Sequence, residues 1–315
     1  METYYTIGKP VKRRPIVRKL GALCLGMEQT PVVFDGKLIL IETQRDYGGG
    51  EHQLFMRAHD YRNDIVYPAF AHGCNFASAY TENGVVYAFG TTSHQVDPYR
   101  LGGGPSVMMF WSADLKNWES REIISLPHWR LFNTSVCKGP DGYVMAIEVK
   151  QFANELDDVI GHPFTEFFAR SKNLFDWEMM DTDCHYTRAR YNACPALRYF
   201  DGWYYMICLE ALPVLRYAPY VYRTKNFMDW DVGIHNPVMM YDDEDRIPHP
   251  LSNFTEKQLE LLETGLNINN SDVDLCEFEG KTYLYYANGD QQSYCFLCEA
   301  VYDGPLDEFL RRFFE

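Results

Sequence analysis

The sequence predicts an all-β protein, a five-bladed β-propeller with a short helical insertion between blades 4 and 5. Three observations predict it. A hairpin pattern recurs five times, a second pattern ending in a bulky residue follows each copy at a regular offset, and the repeats extend from Thr30 to the C-terminus of a 315-residue chain. We therefore read residues 1–315 as a single propeller domain.

The first pattern is an apolar strand that turns at a Gly into an aromatic strand. It reads TPVVFDGKLILIE from Thr30, ASAYTENGVVYAFG from Ala77, TSVCKGPDGYVMAIE from Thr134, CPALRYFDGWYYMICLE from Cys194 and DVDLCEFEGKTYLYYAN from Asp272. β-Branched and aromatic residues flank Asp-Gly, Asn-Gly or Glu-Gly, where positive φ is tolerated, so each copy is a hairpin in outline. A spacing of roughly 50 to 80 residues suggests radial repetition, which protects strand edges.

The second pattern supplies an outer strand to each hairpin. MMFWSADLKNW ends at Trp118, FFARSKNLFDW at Trp177 and YVYRTKNFMDW at Trp230, with degenerate copies near Asp60 and Asp303. Blades then cover about 28–70, 72–126, 130–182, 188–240 and 268–315. Residues 1–27 become a lead-in strand or a plug, and the basic run from Lys9 to Lys19 reads as a solvated surface strand. Between blades 4 and 5, NFTEKQLELLETG has a cap signal at Asn253 or Thr255, apolar Leu259 and Leu262, and a stop at Gly265, which predicts a short helix.

Composition narrows the function classes. A formal charge of −15 speaks against nucleic acid or an anionic membrane as partner. No stretch reaches the roughly 18 to 20 apolar residues of a membrane span, and METYYTIGKP lacks the apolar core of a secretory signal. Nine cysteines, an odd number without paired spacing, argue for free thiols and a cytoplasmic location. CFLC at 295–298 has metal-like spacing, yet strand alternation sends its two sulfurs to opposite faces. The sequence does not define an oligomeric state.

In a blade, the first strand begins beside the axis and the second returns antiparallel, so the start of one and the end of the other share a face. The carboxylates falling there are Glu28, Glu148, Glu210, Asp272 and Asp274, and the first four are the candidate catalytic residues. Arg45, His72, Asn133, Arg188, Asn192, Asn270 and Asp290 are the candidate substrate-binding residues. This set is polar where the strands between are apolar. An unpaired buried polar group costs about 1–3 kcal/mol, so a channel lined this way suits a hydroxyl-rich ligand, and sugars are the obvious class.

The hairpins such as DGWYYM, the strand starting at Thr30 and the SxDLxxW-like ends at Trp118, Trp177 and Trp230 resemble the five-bladed propeller glycoside hydrolases, the superfamily of arabinanases, β-xylosidases, invertases and levanases. The resemblance covers nearly the whole chain. It implies a carboxylate base or nucleophile at the start of blade 1, which falls at or next to Glu28. It also implies a supporting Asp in a middle blade and a Glu acid at the start of blade 4. Those positions hold Asn133, Thr134 and Ser135, and Asn192, Ala193 and Cys194, none of them acidic. The WMNDPNG, RDP and EC signatures of the invertase branch are absent, so the chain is identified as a divergent member.

Glycoside cleavage uses one protonated and one ionised carboxyl group. Glu210, at the end of an apolar strand, or Glu148 is expected as the acid, and Asp272, kept ionised by neighbouring amides, or Glu28 as the base. The expected activity is exo-acting hydrolysis of an oligosaccharide. A glycoside phosphorylase or a uronate-directed lyase, with Arg45, Arg188 or Arg190 holding the anion, and a noncatalytic sugar-binding propeller are the alternatives. No cofactor and no metal is expected, a structural calcium ion at the oxygen-rich NINNSDVD run being the alternative.

Overall fold

Asp35-Gly36, Asn83-Gly84, Asp201-Gly202 and Glu279-Gly280 all have positive φ at both residues, the backbone twist that joins adjacent antiparallel strands most tightly. The computed structural model describes residues 15–46, 53–97, 100–151, 164–213, 216–291 and 293–315, and in it every repeat is a hairpin. Strand β1 (Arg18–Leu25) comes first. A four-stranded sheet follows, β2 (Gln29–Phe34), β3 (Lys37–Asp46), β4 (Gln53–Asp60) and β5 (Ile65–Val66).

Two eight-stranded sheets complete the molecule. One contains β6 (Cys74–Glu82), β7 (Val85–Asp97), β8 (Arg100–Ser112) and β9 (Glu119–Ser125), then β10 (Trp129–Gly139), β11 (Gly142–Gln151), β12 (Thr165–Ser171) and β13 (Trp177–Met179). The other contains β14 (Asn192–Phe200), β15 (Trp203–Leu212), β16 (Arg216–Thr224) and β17 (Trp230–Val232), then β18 (Asn269–Phe278), β19 (Lys281–Gly289) and β20 (Cys295–Tyr302), with β1 on its edge. Each eight-stranded sheet is two antiparallel meanders joined at one register pair, Leu131 with Gly104 or Tyr217 with Asn269.

The first strands of the meanders, β2, β6, β10, β14 and β18, pack against one another in succession, and β18 returns to β2. Between successive meanders lie separate apolar clusters, for example Ile39, Met56, Phe70 and Val86, or Phe168, Leu197, Met206 and Tyr222. The protein is therefore all-β, with its core divided among sheet-on-sheet contacts around a polar centre.

The tryptophan motif has a local explanation. Trp118, Trp177 and Trp230 each donate an indole N–H to the carbonyl three residues back, on Leu115, Leu174 and Phe227, and those three residues have positive φ. Ser112 and Thr224 hydroxyls accept from the amides of Leu115 and Phe227, closing the same turn in two of the copies. Helix α1 (Glu256–Thr264) forms where the cap signals predict it, with Thr255 and Gln258 in a reciprocal capping box and Gly265 at the C-cap.

The lead-in segment differs from expectation. Residues 1–14, most of the basic run, lie outside the described residues. β1 pairs antiparallel with β20 and supplies the outer strand that the last repeat lacks. Lys19 is not solvated: its side chain is buried and its ammonium sits 2.8 Å from Asp245, 3.0 Å from Asp242 and 2.7 Å from the Met240 carbonyl. The burial follows from the segment 242–250, which backs onto β1 through Ala22 N–H to Ile247 O and His249 N–H to Ala22 O, 2.8 Å each. All nine cysteines are free. Among the described residues no helix is long and apolar enough to cross a membrane.

Candidate active site

The first strands β6, β10, β14 and β18 each carry a register shift near their starts, between Asn75 and Ser78, Leu131 and Thr134, Ala193 and Ala196, and Ser271 and Asp274. Phe76, Cys194 and Asp272 inside three of these bulges have positive φ, and Glu28, just ahead of β2, does too. A left-handed backbone at a non-glycine residue costs about 1–3 kcal/mol and persists only where the surroundings impose it. Here the bulges turn side chains toward the axis, where a small cleft is lined by Glu28, Gln29, Thr30, Asn133, Thr134, Cys194, Asp272 and Asp274 among others.

Two of these carboxylates already have cations. Glu28 is buried and bonded to the Arg45 guanidinium, which also donates to Asn75 Oδ1 at 2.8 Å. Asp274 accepts at 2.5 Å from Arg198, a residue from the neighbouring meander. Asp272 has no such ion pair. Burial pushes its carboxyl above the ordinary range, against hydrogen bonds from Ser271 and Cys194 and the more distant charge of Arg45. Neighbouring amides therefore do not govern it, contrary to the sequence expectation.

Glu148, at the far end of β11, stands directly behind the cleft lining. Its Oε2 accepts from Asn133 Nδ2 at 2.9 Å and from the Cys194 backbone N–H at 2.7 Å, both residues being part of the wall. Burial pushes its pKa up to about 7, overcoming those two hydrogen bonds, with the charge of Asp272 acting in the same direction. A carboxyl group half protonated near neutrality thus stands next to a second one within electrostatic reach.

Glu210 is arranged differently. It accepts from Tyr222 and, at 2.8 Å, from Arg190 Nε, and Asn192 Nδ2 lies 3.4 Å away, so it is a buried carboxylate paired with an exposed arginine outside the cleft lining. Between Glu148 and Glu210 sits Glu166, which faces Glu148 across β11 and β12. It is fully buried, and burial followed by the charge of Glu148 holds its pKa far above the carboxylate range, against hydrogen bonds from its own backbone and from Cys208. Sequence reasoning missed Glu166. The signal was a lone acid inside the apolar strand TEFFARS, opposite Glu148 once the hairpin register is drawn.

The predicted binding residues scatter. Asn133 lines the cleft, and Arg45 borders it through Glu28. Asn192 is buried against Glu210 with its Oδ1 unpartnered. Asn270 belongs to the Lys19–Asp245 network, to which it donates at 3.0 Å. Asp290 caps its own loop through Ser293 and Tyr294. His72 and Arg188 are exposed and lie off the cleft lining. In NINNSDVD, Asn269 Nδ2 donates to Ser271 Oγ, Asn270 Nδ2 donates to Asp245 and Asp274 accepts from Arg198, while Asn269 Oδ1 is buried without a hydrogen bond, and among the described residues no acidic, His or Cys group is arranged to hold a metal.

No protein-family model matches the sequence, and no curated protein matches it. Solved structures do. A glycosyl hydrolase from Bacteroides ovatus is 14% identical with a TM-score of 0.58, covering 89% of this chain and 84% of that one. A structure from work on the GH130 family of mannoside phosphorylases, which contains glycoside hydrolases targeting β-1,2 mannosidic linkages in Candida mannan, is 13% identical with a TM-score of 0.58, covering 94% and 96%. A xylan β-1,4-xylosidase from Bacillus halodurans is 12% identical with a TM-score of 0.57, covering 91% of this chain and 54% of its own. At these identities the likeness shows a shared fold and nothing more.

Proposed function

We propose that this chain is a five-bladed propeller enzyme that hydrolyses a glycosidic bond of an oligosaccharide in its axial cleft, acting from a chain end. The five four-stranded meanders, the last completed by β1, are read as the blades. The observation that carries the reading is the pairing of Asp272 in the cleft wall with Glu148 directly behind it, whose carboxyl is pushed up to about 7.

In this reading Glu148 is the proton donor to the leaving oxygen, and Asp272 acts at the anomeric carbon or on the attacking water. Arg45, which also bonds Asn75, pairs with Glu28 in the cleft lining, a third carboxylate suited to an oxocarbenium-like transition state. Hydrolysis is favoured over phosphorolysis because Arg45, Arg198 and Arg190 are each engaged by a carboxylate. Nine free thiols support a reducing, cytoplasmic compartment.

The test is release of monosaccharide from aryl glycosides and plant or fungal oligosaccharides, with and without phosphate. Glu148→Gln and Asp272→Asn should each lower kcat by at least about a hundredfold, the usual scale for general acid–base catalysis. Full activity in either variant removes that residue from the mechanism, and strict phosphate dependence turns the reading to phosphorolysis.

A further inference from the structure

Five aromatic rings stand outside every apolar core of the described residues and touch one another in a chain. Phe76 meets Phe132 at a centroid distance of 5.2 Å, Phe132 meets Phe164 at 5.0 Å, Phe164 meets Tyr191 at 5.6 Å and Tyr191 meets Tyr217 at 5.7 Å, with interplanar angles between 61° and 85°. Phe76 and Phe132 lie in bulges of β6 and β10, Phe164 and Tyr191 immediately precede β12 and β14, and Tyr217 is near the start of β16. All five are therefore at the cleft end of their strands. Phe76 is buried under the Arg45 guanidinium, 5.4 Å from its centroid, while the other four are half-buried.

The arc begins beside the cleft and passes close to its acidic groups. Phe76 and Phe132 adjoin the cleft-lining residues Ala77 and Asn133, and Tyr191 lies within electrostatic reach of Cys194, Glu148 and Asp272. Close approach is built in: a Cβ on Gly103 would sit 2.0 Å from the Leu131 carbonyl and 3.0 Å from the Phe132 ring, so β8 reaches the backbone of β10 beside that ring only as glycine. Edge-to-face packing fixes each ring by its neighbours, so the surface left open is ordered before any ligand arrives.

We propose that this arc is an extended sugar-binding subsite, which holds the rings beyond the scissile bond of a pyranose oligosaccharide by their C–H faces. The preferred substrate is then an oligosaccharide longer than a disaccharide, with pyranose rings that present a C–H face, such as those of xylo- or manno-oligosaccharides. The position of the scissile bond rests on the hydrolase reading above, whereas affinity of the arc for sugar rings does not. A polar cleft recognises one terminal sugar, and the aromatic arc rewards chain length.

The experiment compares Phe164→Ala, Tyr217→Ala and the ring-retaining Tyr217→Phe. Substrates are xylotetraose and mannotetraose against the matching aryl monoglycosides, and calorimetry follows tetrasaccharide binding to Glu148→Gln in the same backgrounds. Each Ala variant should weaken tetrasaccharide binding and lower the tetrasaccharide-to-aryl ratio of kcat/KM by about tenfold, with Tyr217→Phe close to wild type. An unchanged ratio in folded Ala variants, or no binding of either tetrasaccharide, overturns the subsite. Binding that weakens in the Ala variants of a protein that hydrolyses nothing upholds the subsite and refutes the hydrolase reading. Hydrolysis with an unchanged ratio does the reverse.

Discussion

The Glu148 carboxylate accepts a 2.7 Å hydrogen bond from the backbone N–H of Cys194, a residue held at φ 55° in the bulge of the next meander's first strand. This bond ties the interior acid of one sheet to the cleft wall of another. Any change in the charge of Glu148 is therefore felt at the residue beside Asp272.

That coupling gives a pH dependence. The folded-state pKa of Glu148 is raised from 4.5 to about 7, so folding favours the protonated form. Its contribution is fully present below about pH 4.5 and is lost as pH rises to about 7. Glu148→Gln, whose amide oxygen accepts the same two hydrogen bonds, should gain on the order of 3 kcal/mol over wild type between those limits. Urea denaturation of both proteins at pH 4 and pH 8 measures it, and parallel pH profiles would refute the assignment. If Glu148 is the proton donor, wild-type kcat also falls as pH rises past about 7.

Glu42 has the opposite sign. Burial opposes its ionisation, but His59, Arg57 at 2.9 Å and Tyr61 at 2.5 Å outweigh it and hold its pKa below the ordinary 4.5. The stability it contributes is present above pH 4.5 and disappears as pH falls through the lower folded-state value. Glu42→Gln should flatten the acid limb of the stability curve. A limb as steep as that of wild type would show that other carboxylates carry it.

Lys19 and Asp245 hold β1 to the segment before α1. Lys19→Met leaves Asp245, fully buried, with hydrogen bonds from Asn270 and Tyr286 but without its cation. Breaking one side of a buried pair costs about 3–5 kcal/mol. Asp245→Asn added to Lys19→Met should restore part of that loss, which thermal unfolding of the single and double variants reads directly. Equal melting temperatures for all four proteins would remove the pair from the stability of the fold.

Gly21 tests the same seam by sterics. Its φ is +105°, and an added Cβ would lie 2.3 Å from the Ile247 carbonyl oxygen. Gly21→Ala should cost about 1–3 kcal/mol and loosen the seam. Hydrogen exchange at the Ala22 and His249 amides, which bond across it, should accelerate ahead of exchange in β14 to β16. Unchanged protection at both amides would sink the prediction.

The hairpins, the tryptophan turns and the capped helix were legible in the sequence because each depends on contacts within a few residues: Asp-Gly or Asn-Gly at the turn, Ser or Thr before a left-handed Leu or Phe, Thr255 opposite Gln258. Glu28, Asn133 and Asp272 were legible too, since the repeat aligns the starts of the first strands. The burial of Lys19 was not, because its partners Asp242 and Asp245 come from a segment more than two hundred residues away. Glu166 escaped notice for a similar reason. Alternation places it beside Glu148, but its complete burial arises only when the neighbouring strands pack over it.

Local chemistry was thus sufficient for an all-β repeat with acids and amides gathered at one end of its strands. Which acid is protonated was decided by packing. Glu28, Glu148, Glu210 and Asp272 are all carboxylates at comparable places in the repeat, and what separates them is the cation or the burial each meets after closure. Arg45 reaches Glu28, Arg190 reaches Glu210, and Glu148 and Asp272 are left desolvated without an ion pair. A charge's environment is a sum over neighbours from several sheets, and only the assembled structure brings those neighbours together.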